Sequence, residues 1–160
     1  MSLTRDIAVM RKTPLLAGMS DEQLRLLAFS SETRRLEPGE MLFDMNAPAM
    51  GAGVIASGKL SVTETARGGS PRTLGPGSIV NGLALLLEGR PSARAVAEET
   101  SEVIVLARTQ FRKILVEYPE TARELQARLA ENLISMTADL DGVRERLLAV
   151  GDRLPPKRPS

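Results

Sequence analysis

Apolar residues along this chain change period twice, and the changes divide it into a short helical lead, a sheet and a helical end. In the lead, Ile7, Val9, Met10, Leu15 and Leu16 give a mildly amphipathic segment from Thr4 to Leu16, with Pro14 ending any helix before it. Ser20-Asp21-Glu22-Gln23 reads as a capping box, and Leu24, Leu26, Leu27 and Phe29 then make a two-turn helix. From Thr33 the period falls to two. Arg35 to Phe43 places a Pro38-Gly39 turn between short strands, and Val54 to Val62 does the same around Ser57-Gly58. Arg67 to Pro71 is a polar hairpin tip. Val103 to Leu106 is apolar at each position and predicts a strand buried on both faces. Thr109 is expected to cap a helix carrying Phe111, Ile114 and Leu115, which Pro119 stops or kinks. Short strands between glycine turns, with helices before and after, imply an α+β fold built on a rolled antiparallel sheet.

The final helix has its own signature. Leu129, Leu133, Met136, Leu140, Val143, Leu147 and Val150 follow one another at intervals of 4, 3, 4, 3, 4 and 3, a heptad seam that asks for a partner helix. With Leu133, Leu140 and Leu147 at a positions, Asp139 and Arg144 fall at g and the following e, which favours a parallel homodimer. Gly142 on the outer face weakens the helix by about 1 kcal/mol relative to alanine. The alternative is a helix lying on its own sheet.

The densest candidate chemistry lies between Leu74 and Leu106. Gly75-Pro76-Gly77 reverses the chain, and Gly82 opens a short apolar helix, Leu83 to Leu87, whose N–H groups at Gly82, Leu83 and Ala84 suit a phosphate. Arg90 and Arg94 flank Pro91, Ser92 and Ala93, returning a cation and a hydroxyl to the same neighbourhood. Asn81, Gly82, Leu83, Ala84, Arg90, Ser92, Ala93 and Arg94 therefore form the candidate ligand-binding set.

Pro76 to Leu86 and Arg90 to Ala97 resemble the phosphate-binding cassette of the cyclic nucleotide-binding domains, the family of the catabolite activator proteins, whose pattern reads roughly PGxxFGELALL and then PRxATVxA. Pro38 to Phe43, Ile55 to Val62 and Leu15 to Leu24 are similar to other pieces of that family, so the resemblance spans about Leu15 to Leu115. It implies a β-roll of the double-stranded β-helix, jelly-roll-like kind, flanked by short N-terminal helices and a long C-terminal helix. It also implies cAMP or cGMP as the possible ligand. The chain departs from the pattern where it matters chemically: the glycine-glutamate pair falls on Asn81-Gly82, so the ribose-binding glutamate is missing. The phosphate arginine falls on Pro91 and the Ser/Thr on Arg94. Asn46-Ala47 replaces a Gly-Asp, and Gly51-Ala52-Gly53 stands where an aromatic is common.

Composition narrows the alternatives. The chain has 160 residues, which suggests one domain, 1–150, with the roll at about 33–107, the coiled-coil helix at about 119–150 and a disordered tail at 151–160. No cysteine and no histidine occur, which removes disulfides, thiol nucleophiles, imidazole bases and the usual zinc ligands; no metal, no cofactor and no enzymatic activity are expected. A net charge of +1 provides no field for nucleic acid, and no helix-turn-helix text follows the heptads, so DNA binding is not expected. No apolar run approaches the ~18 residues of a membrane span and no signal core opens the chain, which implies no membrane and a cytoplasmic location. Two readings follow: a sensor that couples a cyclic nucleotide or other small anion to the dimer helix, or a dimeric scaffold with a vestigial pocket serving an unknown protein partner.

Overall fold

The computed structural model describes residues 3–64 and 70–128 with their side chains, and 129–136 as helix backbone. Helix α1 spans Leu3–Lys12 and buries Val9 and Met10; the chain then turns through Thr13 and Pro14. Helix α2 spans Asp21–Phe29 behind a complete capping box. The Ser20 hydroxyl accepts from the Gln23 N–H at 3.2 Å, and the Gln23 side chain accepts from the Ser20 N–H at 3.0 Å. Only part of its predicted apolar stripe is inside. Leu24 and Leu27 are buried, whereas Leu26 and Phe29 are 44% and 83% exposed. At 3.6 residues per turn, Leu26 lies across the helix from Leu24, and Phe29 closes the last turn beyond the core.

The strands are β1 Glu32–Leu36, β2 Gly51–Ser57, β3 Leu60–Glu64, β4 Arg72–Leu74, β5 Ile79–Val80, β6 Ala93–Ala97 and β7 Ser101–Ala107. They form two antiparallel sheets, a four-stranded one ordered β1-β7-β2-β5 and a three-stranded one ordered β4-β3-β6. Helix α3, Arg108–Glu117, and helix α4, Pro119–Met136, follow. The result is three layers. Ala52, Val54, Ala56, Ile104 and Leu106 face the helices, while Ile55, Val80 and Val103 face the second sheet with Leu60, Val62 and the alanines of β6. Strands β2 and β7 are apolar in sequence because both of their faces are covered. Burying one leucine of this kind contributes roughly 1.5–3 kcal/mol.

Tertiary packing modifies several local expectations. The Ser57-Gly58 turn does not close a hairpin, because β2 belongs to one sheet and β3 to the other; the chain changes layer there, next to a register shift between Ile55 and Ser57. After Pro38-Gly39, Met41 makes a single bridge to Val96 in place of a strand. Helix α3 begins at Arg108 behind Ala107, with no side-chain cap, so Thr109 is already inside it.

Two tethers seat the end helices. Arg5 of α1 donates to Glu102 of β7 at 2.6 Å, and that hydrogen bond is the main reason the Glu102 carboxyl sits below its usual range. At the start of α4, Ala122 and Leu125 join the core, and Arg128 donates to the Pro14 carbonyl at 3.1 Å. Leu129, Leu133 and Met136 fall on the helical backbone of α4. Leu140, Val143, Leu147, Val150, Gly142, the 151–160 tail and residues 65–69, among them Arg67, Gly68 and Gly69 of the expected hairpin tip, lie outside the described residues. No described helix is long and apolar enough to cross a membrane.

Candidate functional site

The candidate site is assembled on the turn that leads into β5. Pro76 and Gly77 occupy its centre, with Gly77 at φ 90° and the Ser78 N–H donating to the Gly75 carbonyl at 3.1 Å. A φ of this sign is open to glycine at little cost and strains other residues. The turn is held from two sides. Gly77 donates to the Ile55 carbonyl at 2.9 Å, and the fully buried Thr13 hydroxyl donates to the Gly77 carbonyl at 2.9 Å.

After β5, Asn81 adopts the left-handed conformation, φ 63° and ψ 40°, the one non-glycine residue with positive φ among those described. Asparagine tolerates this region better than most side chains, which explains how it can stand where a glycine would be the ordinary choice. A single turn of 3-10 helix follows at Gly82–Leu85. Its N–H groups at Gly82 and Leu83 have no acceptor within the turn, but that of Ala84 donates to the Asn81 carbonyl at 3.0 Å. Of the three N–H groups expected to face a phosphate, the third therefore closes the turn itself.

Asn81 and Ser92 meet directly. Asn81 is only 7% exposed. Its Oδ1 accepts from both the Ser92 N–H and the Ser92 hydroxyl, each at 3.0 Å, and its Nδ2 donates to the Gly51 carbonyl at 3.3 Å. Three segments far apart in sequence are joined through one carboxamide. Ala93 enters β6 as a buried residue, and the strict alternation of β6 puts Arg94 on its exposed face opposite Ala93 and Ala95. Arg90 is also exposed, on the loop just after Gly89. Neither arginine has an ion pair among those found between described residues. The structure thus groups Asn81, Gly82, Leu83, Ala84, Ser92 and Ala93, whereas it leaves Arg90 exposed on the loop and Arg94 on the outer face of β6.

Two residues absent from the sequence-derived set hold the other end of this unit. Arg108 is buried, and its Nη1 donates to the carbonyls of Ala49 at 2.9 Å, Ala84 at 3.2 Å and Leu87 at 3.2 Å. One turn later, Arg112 donates to the Leu86 carbonyl at 3.0 Å. A guanidinium with five fixed donors suits a helix end whose last carbonyls have no backbone partner. The signal in the sequence was the Arg108 and Arg112 spacing, which puts two cations on one face of α3 beside Phe111 and Leu115. Among the described residues no group of acidic residues could hold a metal ion.

Comparison with known proteins agrees with this architecture. Residues 33–118 match the family model described as cyclic nucleotide-binding domain. The Cyclic AMP receptor protein of Thermus thermophilus is 36% identical over 82% of the chain, and the chain spans 62% of that relative's length. The cyclic nucleotide-binding-like protein of Brucella abortus is 36% identical with a TM-score of 0.58, over 69% of this chain and 97% of that one. The N-terminal domain of a transcriptional regulator from Streptomyces coelicolor is 26% identical with a TM-score of 0.66, over 83% and 97% of the two chains. The two-sheet roll, the matched 33–118 segment and the 36% identity over 82% of the chain together mean that this chain belongs to the cyclic nucleotide-binding domain family.

Proposed function

We propose that the protein is a non-catalytic, cytoplasmic sensor module that binds a cyclic nucleotide, cAMP or cGMP, or a related small anion weakly, and couples it to a dimer formed through α4 and its continuation. The observation that carries this reading is the meeting of the 81–84 turn with Ser92. There the Ser92 N–H and hydroxyl both donate to the Asn81 carboxamide oxygen, which brings Ser92 onto the residue that opens the 82–85 turn, with Arg90 and Arg94 each two residues from Ser92 along the chain. The phosphate lies against the N–H groups of Gly82 and Leu83, that of Ala84 being taken by the turn, with an arginine nearby, and the ribose is poorly held because Gly82 offers no carboxylate. Leu74, half-buried and paired with Leu60 on the inward face of the second sheet, stands on the side of the base, whereas Val96, paired with Ser61, lies on the opposite face with Arg94. The competing reading, a dimeric scaffold with a vestigial pocket, draws support from the same missing carboxylate.

Gly82→Glu separates the two. The nearest atoms to a Cβ at Gly82 would be Leu15 Cδ2 at 3.5 Å and Ile79 side-chain atoms at 3.7 Å, ordinary contact distances, so the glutamate enters without backbone strain. A hydrogen bond to a charged carboxylate contributes about 1.5–3 kcal/mol, so calorimetry should show cAMP or cGMP binding tightened by roughly tenfold or more. Replacing Arg90 and Arg94 together by alanine should abolish binding. Unchanged affinity in both variants would transfer the argument to the scaffold reading.

The dimer has its own test. Light scattering should give a dimer mass for the intact chain and a monomer mass after Leu133→Glu with Leu140→Glu, because a charge at an a position cannot be buried unpaired. A dimer that survives both changes would place the interface elsewhere.

A further inference from the structure

We infer that Asn81 is a built-in occupant of its own anion site: its carboxamide oxygen takes up the two donors of Ser92 that a ligand oxygen would use, and so sets the affinity of the site. The inference rests on the sensor reading above. A backbone N–H and a hydroxyl of one residue, both directed at 3.0 Å onto a single oxygen, form the convergent arrangement that proteins use for anionic oxygens. Here the oxygen belongs to the neutral side chain of a buried residue, and its other end is moored to the Gly51 carbonyl. The mooring keeps the amide from rotating, because a flip would bring Nδ2 against the Ser92 donors. The left-handed backbone at Asn81 aims the side chain inward and is itself stable only for glycine, asparagine and a few other residues. A ligand anion must therefore displace an internal acceptor before it can engage Ser92, and that competition weakens binding of any anion, whether or not it carries a ribose.

Asn81→Gly removes the carboxamide and retains a residue that accepts φ 63°. Inorganic phosphate is the probe for this inference, and cAMP is the probe for the sensor reading. Titration followed by calorimetry should show phosphate binding to Asn81→Gly at least tenfold tighter than to the wild type, with the gain much reduced when Ser92→Ala is added. Phosphate affinity that does not rise in Asn81→Gly overturns the inference, whatever cAMP does. A rise for phosphate with no cAMP binding in either protein upholds the inference and defeats the nucleotide reading. Should Asn81→Gly fail to fold, the wild type provides the second measurement, heteronuclear NMR at high phosphate. The Asn81 side-chain NH2 and the Ser92 amide should shift together as the carboxamide is displaced. A Ser92 shift that leaves the Asn81 carboxamide unmoved overturns the inference.

Discussion

Replacing Arg108 with methionine should destabilise the protein by about 3 kcal/mol or more, although Arg108 lies outside the candidate binding set. Its guanidinium is buried and serves the carbonyls of Ala49, Ala84 and Leu87, so the apolar replacement leaves three acceptors without their donor. Leaving a buried polar group unsatisfied costs roughly 1–3 kcal/mol, and relaxation or entry of water recovers part of the total. For a chain of this size the melting temperature should fall by about 6–12 °C. The damage should be local as well as global. The Leu86 and Leu87 N–H groups both donate to the Leu83 carbonyl, so their hydrogen exchange should accelerate before that of the central strand β7. Lysine should restore part of the loss, since an ammonium offers three donors from one nitrogen but lacks the planar fork and the same reach. A methionine variant with an unchanged denaturation midpoint would show that these carbonyls find other partners at no cost.

The second large effect is expected at Gly58, where the chain passes from one sheet to the other. Gly58 has φ +91°, and a Cβ built on it would fall 2.1 Å from the Ser101 hydroxyl oxygen, 2.6 Å from its Cβ and 2.7 Å from its Cα. The last of these is backbone in β7, which cannot move without disturbing the pairs on both sides. The Ser101 hydroxyl is also committed, accepting from the Lys59 N–H at 3.1 Å and donating to the Glu99 carbonyl at 2.9 Å. Gly58→Ala therefore combines backbone strain of about 1–2 kcal/mol with a steric clash, and should lose at least ~3 kcal/mol in chemical denaturation. Two other glycines act as internal standards. Gly39 has φ +90° with nothing within 4 Å of its Cβ position, so alanine there should cost only the strain, about 1–2 kcal/mol. Gly75 has neither constraint, and alanine there should be close to neutral. Equal losses at Gly58 and Gly39 would mean that the contact with Ser101 relaxes away.

These two sites differ in how visible they were beforehand. Gly58 stood out as a turn residue, because glycine after serine between two period-two segments signals a reversal. That it joins two different sheets was not visible, since a hairpin and a change of layer share the same local text. Arg108 showed as one cation at the head of a helix, and nothing within four residues of it indicates three carbonyls at separations of 59, 24 and 21 residues.

The same division runs through the candidate site. By itself, the sequence determined the features governed by neighbouring residues: the capping box at Ser20 and Gln23, the Pro76-Gly77 turn, the short helical turn opened by Gly82, and the alternating strand that begins near Arg94, whose outward face only the structure decided. It also carried the family, because the cassette pattern is a run of such local constraints in fixed order. Tertiary structure alone decided that the Ser92 donors end on the Asn81 carboxamide, that the Ala84 N–H closes its own turn, and that Leu26 and Phe29 remain outside. The physical reason is range. Dihedral preferences and bonds between residues three or four apart are settled within one turn of chain, whereas the partner of a buried donor is settled by which segments the core brings together.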